Sequence, residues 1–219
     1  MNGMKISVSA LFAAVALAAG GAAQAAACSV SGSLTGADLG TMSTADATLS
    51  LNGGAATASD ACNLSDQGSG GNTSGTLLGG YYSPTYGSGD FTQVSNGVVI
   101  NGITFTSITF DSAAGTWAFT WSGGPASLDL ALAIHASDRT GSFLFNDRTL
   151  VADASGNGTW VINWLNNGGQ VPGFSNFGFW ARTGSGDVPG PNPTPVPGTA
   201  LLLGLGLAGL GLRARMRRS

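Results

Sequence analysis

Between residues 127 and 136 the chain alternates strictly. Leu128, Leu130, Leu132 and Ile134 take one side, and Asp129, Ala131, Ala133 and His135 take the other. Successive side chains of a strand point to opposite faces, so this pattern predicts a strand with one face buried and the other wet or thinly covered. The same period sets Trp117, Phe119 and Trp121 apart from Ala118 and Thr120. Strands are expected over 98–101 and 103–110, joined by the hairpin dipeptide Asn101-Gly102. Others are expected over 142–145, 149–152, 159–165 and 174–182, with glycine-containing turns at 154–158 and 166–169. From 29 to 80 the signal weakens: a strand at 47–51, part of one at 76–78, and a flexible loop at 66–72. Tyr81, Tyr82 and Tyr86 surround Pro84 in a turn-rich stretch. About seven to ten short strands with regular turns predict an all-β fold, a single β-sandwich or jelly roll. No internal repeat is visible, which argues against a propeller or a β-helix.

The two ends carry other signals. Lys5, an apolar run over 6–19 and the small-x-small triplet Ala23-Gln24-Ala25 form a secretory signal peptide, residues 1–25, with Ala27 an alternative cleavage point. The exported domain then covers 26–187, followed by a proline-rich linker at 188–198 and a membrane anchor with a basic tail at 199–219. Proline-rich chain is extended and semi-rigid. Residues 199–212 hold no charge and no proline. As a helix they would rise about 21 Å, short of a hydrocarbon core of about 30 Å. Ala200, Gly204 and Ala208 recur at every fourth position, a small-residue face against which another membrane helix packs closely. Arg213, Arg215, Arg217 and Arg218 form a cytoplasmic stop by the positive-inside rule.

Signal peptide, polar body, Val-Pro segment, Leu/Gly-rich stretch and terminal arginines together resemble a bacterial PEP-CTERM protein. The resemblance implies sorting by an exosortase-like membrane protease or transpeptidase, with the membrane engaged through the C-terminal segment. Where that family has Pro-Glu-Pro, this chain reads Val196-Pro197-Gly198-Thr199, without the glutamate. The stretches 115–121, 128–132 and 158–169 also look like bodies of such proteins, which implies a sandwich ectodomain and no activity.

Charge narrows the function classes. The body has three arginines, Arg139, Arg148 and Arg182, against eleven aspartates, a formal charge of −8, with no glutamate and no lysine. Nucleic-acid binding through phosphate neutralisation is thereby excluded. Gly, Ser, Thr, Asn and Asp in place of the usual helix formers favour turns and strands. Cys28 and Cys62 read as one disulfide in an oxidising compartment; a lipidated Cys28 is the alternative.

Candidate chemistry is sparse. Trp117 and Trp121 share a face with Phe119, as Trp160 and Trp164 do with Ile162, and read as core. Trp180, Tyr81, Tyr82 and Tyr86 are left as exposed rings for stacking on sugars. Asp60, Asp66, Asp147, Asp153 and Asn157 border turns but match no calcium motif, so turn capping is expected and no metal. His135 with Asp138 invites comparison with a Ser-His-Asp hydrolase, but no Gly-x-Ser-x-Gly elbow accompanies them. The expectation is an exported, non-enzymatic surface or matrix protein without cofactor, associating with exopolysaccharide. A carbohydrate-binding module using exposed aromatics is the second class, and a secreted hydrolase the third.

Overall fold

A computed structural model describes residues 25–67, 73–83 and 85–184. Residues 1–24 of the expected signal peptide, the linker and the sorting tail, with Val196 through Arg218, lie outside them.

Among the described residues, twelve strands form two six-stranded sheets, accompanied by one short α-helix, so the body is an all-β sandwich. The first sheet runs β1 (Ser29–Ser31), β4 (Ala61–Ser65), β10 (Arg139–Leu150), β9 (Ala126–Ala136), β12 (Phe174–Thr183) and β5 (Thr92–Gln93). The second runs β3 (Thr57–Ala58), β2 (Thr48–Leu51), β11 (Ser155–Thr159), β8 (Thr116–Gly123), β7 (Ile103–Asp111) and β6 (Val99–Ile100). The alternating leucines of β9 are fully buried between the sheets. There they meet Phe143 and Phe145 of β10, Phe179 of β12, and Phe105, Trp117 and Phe119 of the opposite sheet. Phe179 bridges the layers, its ring 4.8 Å from Phe119 and 5.3 Å from Trp117 between centroids. Trp117, Trp121, Trp160 and Trp164 are all buried, as the alternation predicts.

The Asn101-Gly102 hairpin forms as expected, both residues at positive φ and Ile100 paired with Ile103. Other expectations change. Residues 142–145 and 149–150 belong to one strand, β10, kinked by a register shift between Phe145 and Arg148, and 151–152 lie beyond its end. Residues 154–158, expected as a turn, are mostly β11. A Cβ at Gly156 would meet the Phe119 ring, and one at Gly158 would collide with the Thr48 carbonyl, so these glycines serve close packing. Residues 161–165 run beside 38–46 without forming a ladder: Val161 N donates to Asp46 O and Leu165 N to Asp38 O. Trp164 plugs that seam against Gly141 and Met42.

Residues 76–78, expected in a strand, lie in the helix α1 (Gly75–Tyr82), capped by Ser74, whose Oγ accepts from Leu77 N at 3.2 Å. This helix and the chain leading to Phe91 cover the outer face of the first sheet. Leu78, Tyr82 and Phe91 pack there on Ala131 and Leu144, forming a second, smaller core. The β9 face carrying Asp129, Ala131, Ala133 and His135 is therefore buried, the covered rather than the wet of the two expected alternatives.

Candidate functional site

Beside α1 the outer face of the first sheet hollows into a cleft of about 360 Å³. Strand register builds it in rows. Thr140, His135 and Asn176 stand side by side across β10, β9 and β12. The next row is Ser142, Ala133 and Gly178; the one after is Leu144, Ala131, Trp180 and, on β5, Gln93. The middle row offers only a methyl and a hydrogen on β9 and β12, so the surface sinks between two rows of larger side chains. Gly178 is needed for a second reason: a Cβ there would stand 2.5 Å from Trp180 Nε1. Its absence lets the indole lie down over the strand.

The lining is polar and, among the described residues, contains no Asp, Glu, Lys or Arg. His135 is buried, its Nδ1 3.2 Å from Thr140 Oγ1. Gln93 and Asn176 stand exposed at the rim. Thr73 Oγ1 and Trp180 Nε1 are both buried and have no hydrogen-bond partner among the described residues. Buried polar atoms are nearly always paired, and these two unpaired ones belong to residues that line one cleft. A larger hollow of about 460 Å³ lies against the second sheet. Several of its polar groups serve each other: Thr48 and Thr159 hydroxyls are 2.8 Å apart, and Asp111 Oδ1 accepts from Ala113 N and Ala114 N; the buried Trp117 Nε1 has no partner among the described residues.

One buried ion pair holds the covering layer in place. Arg182 Nε donates to Asp129 Oδ2 at 2.8 Å, its Nη1 donates to Gly89 O at 2.9 Å, and its Nη2 donates to Tyr86 O. The guanidinium also lies over the Phe91 ring, 4.4 Å from its centroid. Burial pushes the Asp129 carboxyl above the usual carboxylate range, although the Asp147 N–H and Arg182 pull against it. Arg139 and Arg148 are tied in the same way, 2.8 Å from Asp38 and 2.6 Å from Asp60. Thr35 and Arg139 hold the Asp38 carboxyl below its ordinary range.

The sequence candidates scatter. Trp180 is half-buried and lines the cleft. Tyr82 is corrected: it is 3% exposed, and its hydroxyl donates to Ser142 Oγ at 2.8 Å. Tyr81 donates to Ser65 Oγ at 2.7 Å and Tyr86 to Asp60 O at 3.3 Å, so all three tyrosines anchor the helix layer. Burial raises all three phenol pKa values above the ordinary one. Cys28 and Cys62 form a disulfide, which occupies the sulfur a lipid would need. Among the turn-bordering acids, Asp60 pairs with Arg148, Asp66 accepts from Ser33, and Asp153 accepts from Gly123 N. His135 and Asp138 are not joined: His135 meets Thr140, and Asp138 accepts from Asn167. Thr73, Gln93, Thr140, Asn176 and Gly178 were not among the expected residues. Pairing the alternation of 174–182 against that of 127–136 would have pointed to Asn176 and Gly178 alone.

Compared with protein families, curated proteins and solved structures, the chain shows no match.

Proposed function

We propose that this chain is an exported, non-enzymatic surface protein whose sandwich associates with neutral polysaccharide through the cleft of His135 and Trp180. One observation carries the reading: an uncharged lining of hydroxyls, amides and imidazole beside an indole, with two buried polar atoms left unpaired. Such a lining complements a ligand rich in hydroxyls and without charge, because each group can donate to or accept from a sugar while a ring covers its apolar face. Export is supported by the signal peptide and by the Cys28–Cys62 disulfide, which belongs to oxidising compartments. The tail resembling PEP-CTERM segments would hold the precursor at the membrane for an exosortase-like partner. The body then stays at the surface or in the extracellular matrix.

The test uses the mature protein and a panel of immobilised neutral glycans. Binding to at least one, reduced tenfold or more in Trp180→Ala with the fold intact, is the expected result. A folded protein that ignores the whole panel defeats the reading. Intact mass of the product from its native host checks the export half. It should lack residues 1–25, carry no lipid, and show both cysteines oxidised.

A further inference from the structure

We infer that the saccharide site is a trough for an internal run of sugar units rather than a pocket for one terminal sugar; this rests on the polysaccharide reading above. A second hollow, about 270 Å³, adjoins the cleft and shares Gln93, Phe177 and Gly178 with it. The two meet at an open edge of β12. β5 has only two residues, paired to Trp180 and Ala181, so alongside Phe177 and Gly178 the strand β12 has no neighbour on that side. Beyond Gln93 the chain dives: Val94 is buried, and its N–H donates to Phe179 O at 2.8 Å. Ser95 and Asn96 then emerge, exposed, as the wall of the second hollow, opposite Ile108 of the other sheet. Phe177 lines both hollows, its ring turned toward the other sheet and stacked on Phe110 at 4.0 Å and 6°.

The charge pattern of the lining continues as well. No Asp, Glu, Lys or Arg lines the second hollow among the described residues, and its polar groups are again a hydroxyl and side-chain amides. A ligand crossing from one hollow to the other therefore meets one chemistry throughout, as a repeating neutral polymer presents. Both hollows open to solvent, so neither requires a chain end.

The experiment is calorimetric titration of the mature protein with length ladders, monomer to hexamer, of neutral glucose and mannose oligomers in α- and β-linkage. Affinity should climb at least tenfold between monomer and tetramer and then level off. Asn96→Leu, at an exposed position, should reduce the tetramer to near the monomer's affinity and leave the monomer unchanged. Binding that does not depend on length overturns the trough and leaves the polysaccharide reading standing. Equal loss of monomer and tetramer in Asn96→Leu, or loss of neither, also overturns it. No binding to any ladder by a folded protein removes the underlying reading itself.

Discussion

Gly178 and Trp180 work as a unit, because the indole lies where a side chain at 178 would have to stand. Gly178→Val should therefore lift the ring, at a cost of about 1–3 kcal/mol from overpacking. A changed tryptophan emission, with weaker glycan binding, is the measurement that checks it. Arg182 illustrates a different dependence. Removing the guanidinium leaves Asp129, with no exposed surface, as an uncompensated buried carboxylate. Arg182→Leu should cost about 3–5 kcal/mol in urea unfolding, and adding Asp129→Asn should return part of it. Tyr82 has a pH signature. Its phenol ionises near 10 when exposed, while burial raises that value in the fold. Above pH 10 the unfolded chain loses this proton and the native one keeps it. Stability present below 10 is thus lost as pH rises, by about 1.4 kcal/mol per unit for one group. Tyr82→Phe should cost about 1 kcal/mol at neutral pH through the lost bond to Ser142, yet flatten the alkaline decline.

Elements depend on partners that single-strand patterns do not reveal. The strands around 103–110, 116–121 and 127–136 were legible because one face of each is apolar and the period is two. The helix α1 was not, because its sequence is shaped by what lies over it. A Cβ at Gly75 would strike the Phe91 carbonyl, and one at Gly79 would stand 2.6 Å from the Gly89 carbonyl. Glycines spaced for backbone contact look like a loop to any propensity argument. The state of the second β9 face stayed open for the same reason: alternation tells which residues share a side, not whether a further layer covers it. Half of the site was hidden too, since Thr73 and Gln93 enter it from loop and edge rather than from a periodic segment. A cap prediction follows for the helix. Ser74→Ala should loosen it by about 1 kcal/mol, seen as faster amide exchange in 75–82 while β9 and β10 stay protected.

At the scale of the whole molecule, the disulfide and the three arginine pairs divide the work of closure. Cys28 and Cys62, 34 positions apart, fasten β1 to β4 at the margin of the first sheet. Reduction should lower stability by about 3–4 kcal/mol on the chain-entropy estimate, measured as a drop in Tm with reductant. Every arginine of the body is bound to an aspartate within the fold, so the remaining acids alone set the character of the surface. The way the chain leaves the fold has a mechanical consequence. β12 is the last strand among the described residues, paired along most of its length with β9 and at Trp180 and Ala181 with β5, and Gly184 N still donates to Ser127 O beyond its end. Tension applied from the C-terminal side enters β12 along its own axis. Hydrogen bonds perpendicular to that axis are loaded side by side, in shear, instead of being unzipped one after another. A passenger tethered by this end would resist tugging far better than its modest size suggests.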